Sequence, residues 1–189
     1  MTHQAEQHPR TYRVAAGAVA AGAVVSVALG VYGGQHQPTG QAIFTFGFGS
    51  MIAMKVWLGL AVGALALVQL VSALWMYGKL GRPAGRAVAI THRLSGTSAI
   101  LVSLPVAYSC LWSLGFQTYD TRVLVHSLFG CVLYGAFVTK ILALKSGSSP
   151  GWLLPVAGGL LFSTIVIVVL TSSIWFLGTT GLPTGRAGY

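Results

Sequence analysis

Long apolar runs separated by short polar stretches dominate this chain. They fall over residues 14–32, 56–77, 87–114, 123–144 and 152–177. Each approaches or exceeds the roughly 20 residues that cross a hydrocarbon core of about 30 Å at about 1.5 Å of rise per residue. The pattern predicts an all-α fold, a polytopic bundle of five transmembrane helices. Tails cover 1–13 and 178–189, and no loop is large enough for a soluble domain. Between the first two runs, Phe44, Phe46 and Phe48 alternate with Thr45, Gly47 and Gly49, a period of two that no helix has. This loop is expected at the membrane surface, either as an aromatic lid over the bundle or as a plain interfacial anchor.

Composition narrows the class of protein. Hydrophobic residues make up 54% of the chain and charged residues 7%, against roughly 25% charged in soluble domains. The mean hydropathy is +0.76. Glu6 and Asp120 are the only acidic residues, which leaves no material for a catalytic carboxylate pair or a hard-metal site. The formal charge is +9, but the basic residues stand at the ends of runs rather than among aromatics. They fit anionic lipid headgroups and the bilayer as partner, not nucleic acid.

Counting these charges gives a topology. Arg10, Arg13, Lys79, Arg82, Arg86, Arg93, Lys140 and Lys145 fall on one side; Lys55, Arg122 and Arg186 fall on the other. That bias predicts a cytoplasmic N-terminus, a C-terminus outside and a multi-pass protein of the bacterial cytoplasmic membrane. The basic start and Ala-rich stretch up to Ser26-Val27-Ala28 also has the form of a cleaved signal peptide, but the apolar run is long enough to stay as an anchor.

Small residues let helix backbones approach in lipid. The second run offers Gly59 and Gly63, the first Ala16, Ala20 and Ala21. On the third run Gly96, Ala99, Ser103, Ala107 and Cys110 share one face, a groove for either a packing helix or a planar cofactor. Pro105 is expected to kink that helix, and Gln69 to hydrogen-bond across the bundle. Cys110 and Cys131 form no CxxC, CxxCH or zinc spacing, which excludes c-type haem and structural zinc. Their depths favour two free thiols over a disulfide.

His92 and His126 are the two histidines inside apolar runs, and each has a glycine four residues on: His92-Arg93-Leu94-Ser95-Gly96 and His126-Ser127-Leu128-Phe129-Gly130. An intramembrane ionisable residue is a functional candidate by default, and a glycine one turn along clears room for a flat group. Imidazole is a haem-iron ligand. His92 stands 22 residues from Leu114, about 33 Å of helix, so it cannot share an iron with His126 beyond the next turn. At His126 the second ligand would come from His36, Met51 or Met54. At His92 only His3 or His8 remain, with Arg93 available to a propionate, a quinone or lipid headgroups. Gly130 and Gly96 would admit the porphyrin. The plainer alternative is a pair of histidines hydrogen-bonded for packing.

At these residues the chain resembles bacterial membrane b-type cytochromes of the cytochrome b561 and ferric-reductase kind. There, successive helices each give one histidine and haems lie near opposite membrane faces. The resemblance implies haem b, with His92 and His126 as iron ligands of two different sites. It also implies partner histidines on the second and fifth helices, and both lack one here, so two complete sites are not expected. Thr91-His92-Arg93-Leu94-Ser95-Gly96, Ser103-Leu104-Pro105-Val106-Ala107-Tyr108 and Asp120-Thr121-Arg122-Val123-Leu124-Val125-His126-Ser127-Leu128-Phe129-Gly130-Cys131 also look like an uncharacterised family of actinobacterial membrane proteins, over most of 43–176.

The expectation is an integral membrane subunit with at most one haem b near its outer face. It would serve electron transfer or anchoring beside other membrane or redox subunits of a respiratory complex. Autonomous enzymatic activity is not expected, since the sequence shows no nucleophile–base pair or phosphate loop. A cofactor-free scaffold is the rival, and a transporter would want more buried charge and repeated halves.

Overall fold

The computed structural model describes residues 3–81 and 83–183, with residues 3–10 by backbone alone. Among them are five helices long and apolar enough to cross a membrane, and no strand. The first helix, α1, is His3–Gln35, of which Thr11–Gln35 is the apolar span. It is followed by α2 (Met51–Met76), α3 (Arg86–Leu114), α4 (Thr121–Ser146) and α5 (Leu153–Thr180). Several ends lie beyond the apolar runs because polar caps set them. Ser50 Oγ accepts from the Ala53 N–H at 3.1 Å to start α2, and Asp120 Oδ1 accepts from the Arg122 N–H at 2.6 Å to start α4. The side chains of His3, His8 and Arg10, and all of Arg82 and Arg186, lie outside the described residues.

The helices pack in the order α1–α4–α5–α2–α3. Small residues make two of these seams. Gly22 of α1 and Gly135 of α4 face each other so closely that a Cβ on either would fall on the other's carbonyl. Gly59 and Gly63 of α2 seat Ser173 and Val169 of α5, as expected of small residues in lipid. The central core is Val62 and Ala66 from α2, Leu133 and Ala136 from α4, and Leu161 and Ile165 from α5. Outward-facing Val24, Leu67, Leu101, Leu128 and Leu170, one per helix, stay exposed, the surface a bilayer covers.

Consecutive α3 and α4 have little backbone contact with each other. Two single π turns lie at the end of the bundle where they connect: Ser109–Leu114 in α3 and Leu170–Ile174 in α5. The first follows Pro105, which has no N–H to donate to the preceding turn. Such widened turns are rare and often mark functional sites. The aromatic loop docks beside them on α3. Ser113 donates Oγ–H to Gln41 O at 2.8 Å, and Phe44 stacks on Tyr108 with centroids 5.4 Å apart. It covers the α1–α3 edge rather than the middle of the bundle.

Candidate functional site: a cavity at the His126 end

The half of the bundle nearest the α3–α4 connection holds a cavity of about 500 Å³. Its walls are mainly apolar, and at its deep end Ser103 Oγ and Tyr134 Oη hydrogen-bond across the gap at 2.8 Å. Tyr119 and Trp175 line it and are exposed, so it reaches the surface. Small-molecule sites span roughly 300–1,000 Å³, apolar with a few convergent polar groups. Here those groups are Lys55, Cys110, His126 and Ser173.

His126 is held in one tautomer. Thr171, on the π turn of α5, donates its single hydroxyl proton to Ile167 O at 2.7 Å. At the 3.2 Å contact with His126 Nδ1 it must therefore accept, which places the proton on Nδ1. In the neutral ring Nε2 then keeps a lone pair. Gly130, one turn on, also lines the cavity, and a Cβ there would meet nothing within 4 Å. The groove face of α3 divides. Gly96 packs against Gln69, whereas Ser103, Ala107 and Cys110 open into the cavity.

Charge at this end is one-sided. Arg122 is fully engaged: it donates to Thr171 O at 2.7 Å, pairs with Asp120 at 3.5 Å and lies 3.6 Å over the Trp175 ring, latching α4 to α5. That is the ion pair found among the described residues. Lys55 has no carboxylate partner there; it, His126 and Cys110 all line the cavity. Ser173 is 1% exposed, and its Oγ packs over Gly59 without a hydrogen-bond partner, an uncommon state for a buried hydroxyl. Cys110 and Cys131 are both free thiols.

The other predicted ligands lie elsewhere. His36 is stacked between Tyr32 and Trp112, with centroids 5.2 Å and 4.3 Å away, and its Nε2 bonds Trp112 O at 3.2 Å. Met54 is wholly buried, and neither it, Met51 nor His36 lines the cavity. The structure thus brings none of the three to His126. At the opposite end, His92 Nδ1 meets Ser72 Oγ at 2.9 Å, while Gln69 donates to His92 O and to Ser95 Oγ. The space left by Gly96 is taken by Gln69, and Arg93 is exposed. These residues form a polar seam between α2 and α3. Among the described residues no group of three metal-binding side chains occurs.

Sequence reading passed over Lys55, Thr171 and Ser173 as cavity-lining residues. The usable signal was the hydroxyl run Thr171-Ser172-Ser173 inside an apolar helix. Fold and site together define a multi-pass membrane protein with a ligand-sized interior cavity. The chain belongs to a family of unknown function (DUF6529), whose pattern matches residues 14–184. No curated protein and no solved structure matches it.

Proposed function

We propose that the cavity holds a flat, largely apolar redox cofactor, haem b, with His126 as axial ligand. The chain would then act as an electron-transfer or anchoring subunit of a redox complex in the bacterial cytoplasmic membrane. One observation carries this reading: His126, with its Nδ1 against Thr171, lines a cavity that has open space at Gly130. Metal-bound histidines typically give their second N–H to a fixed acceptor, the part Thr171 plays here. Haem, when bound, supplies one-electron chemistry. The chain would contribute Thr171 to orient the ring, Gly130 for room, and Lys55 as a cation for an acidic edge. No second histidine lines the cavity, so His126 would be the one imidazole ligand.

A second reading is favoured by a separate observation. Lys55, without a carboxylate partner, and His126 share a mainly apolar cavity, an arrangement suited to the carbonyl oxygens of a quinone. The purified protein decides between the two. A reduced-minus-oxidised spectrum with a b-type α band, lost in His126→Ala with helicity retained, supports haem. A colourless protein from haem-replete cells overturns it. Co-extracted quinone then supports the second reading, and an empty cavity leaves a scaffold subunit.

A further inference from the structure

We propose that the cavity binds a single-chain anionic amphiphile, one acyl chain beneath a carboxylate or phosphate head. The head lies at Lys55 and the tail end at Ser103 and Tyr134. The inference goes beyond the haem reading and rests on the cavity's shape and polarity, not on a metal ligand.

The lining residues run from Arg122 to Tyr134 on α4 and from Ile52 to Val62 on α2. At about 1.5 Å of rise per residue, those stretches span roughly 15–18 Å. A volume of about 500 Å³ over that length leaves a mean section of roughly 30 Å². The cavity is therefore a slot for one hydrocarbon chain, or for one ring on edge. At carbon–carbon bonds of about 1.5 Å, an extended chain of roughly 12 carbons fills it.

Polarity sets the orientation of the occupant. At the deep end Ser103 donates to Ile100 O at 2.8 Å, so Tyr134 must give its proton to Ser103 Oγ. Both hydroxyl protons are then spent, and the core of Val62, Ala66, Leu133 and Ala136 closes the floor. An apolar tail end suits that surface. Higher up, Ser127, Thr171 and Ser172 donate to the carbonyls of Gln117, Ile167 and Val168. Arg122 is taken by Thr171 O and Asp120. Lys55 is the cation on the wall with no carboxylate among the described residues. A cation beside a mainly apolar cavity favours an anionic occupant, and exposed Tyr119 and Trp175 mark the mouth by which it enters. Haem on edge would fill the same slot, so the two ligands exclude each other.

The full-length protein in maltoside micelles, taken from the fraction without haem absorbance, is titrated with four probes. These are dodecanoate, octadecanoate, dodecanol and lauroyl lysophosphatidic acid, at matched mole fraction in the micelle. Native mass spectrometry counts the adducts. One dodecanoate or one lysolipid should bind per chain, each at least on the order of tenfold tighter than dodecanol, as a hydrogen bond to a charged head requires. The tighter of the two says whether the source is a free fatty acid or a phospholipid. Octadecanoate, too long for the slot, should bind more weakly than dodecanoate. Lys55→Met should erase the advantage over dodecanol, Lys55→Arg should keep it, and Gly130→Leu should abolish binding of all four. Dodecanoate no tighter than dodecanol would overturn the proposal. So would octadecanoate bound as well as dodecanoate, or parent-like binding in a Gly130→Leu variant of unchanged helicity. The haem reading is scored separately, by the spectrum of the haem-bearing fraction.

Discussion

The Thr171 hydroxyl stands 3.2 Å from His126 Nδ1 and donates its hydrogen bond to Ile167 O, one turn back along α5. Ser72 does the same for His92: it lies 2.9 Å from Nδ1 and donates to Val68 O at 2.6 Å. Both imidazoles are therefore set with the proton on Nδ1 by a hydroxyl on a neighbouring helix. The His126 ring also lines the cavity at its end of the bundle. Thr171→Val keeps the shape and removes the acceptor, so it should weaken haem binding by roughly 10–100-fold, the usual cost of losing such an orienting partner. Thr171→Ser should retain it. Haem titration of the apoprotein, followed by absorbance, gives both values.

Two glycines four residues after a histidine make opposite predictions. Gly130→Leu meets open space, since nothing stands within 4 Å of a Cβ there. Its thermal unfolding in detergent should match the parent, while ligand uptake by the cavity is lost. Gly96→Leu drives into the Gln69 amide and should cost about 1–3 kcal/mol, as overpacking does. Equal stability losses in the two variants would mean that the Gly130 cavity closes in solution.

The five helices were legible because a bilayer demands a minimum apolar length, and nothing else in so uncharged a chain competes with that signal. The helix ends were less so. Ser50 and Asp120 start α2 and α4 ahead of the apolar runs through hydrogen bonds that hydropathy does not register. His126 and Gly130 stood out because an ionisable group in an apolar run is conspicuous. Lys55, Cys110, Thr171 and Ser173 are unremarkable one by one and share a cavity wall only in the folded bundle, the last three from the two π turns. His36 and Met54 are held away from the cavity by packing that their spacing does not register. Both lie at the correct end of the bundle, but the aromatic stack claims one and the core the other.

The α1–α4 seam supplies a stability test away from the cavity's chemistry. Gly22 and Gly135 bring two backbones together so closely that neither tolerates a Cβ without separating the helices. Gly135→Ala should lower stability by roughly 1–3 kcal/mol, read as a drop in the thermal midpoint in detergent. Gly17→Ala on the same helix α1, where a Cβ meets nothing within 4 Å, should change it little. A tolerant Gly135→Ala would place α1 elsewhere.

Gln69 tests whether the two ends of the bundle are independent. Its amide ties α2 to α3 through His92 O and Ser95 Oγ, and replacing it with leucine removes both bonds while keeping an apolar volume. In a membrane the loss should be modest, on the order of 1 kcal/mol, because the separated helices find other partners. Leucine in the place of the amide also meets Gly96, which has no side chain to resist it. Gln69→Leu should therefore lower the thermal midpoint slightly and leave ligand binding at His126 unaltered, since no contact of Gln69 reaches the cavity. A change in haem affinity in this variant would show that the α2–α3 seam and the cavity move together. The Ser103–Tyr134 bond at the cavity's deep end would then be the place to look for the coupling.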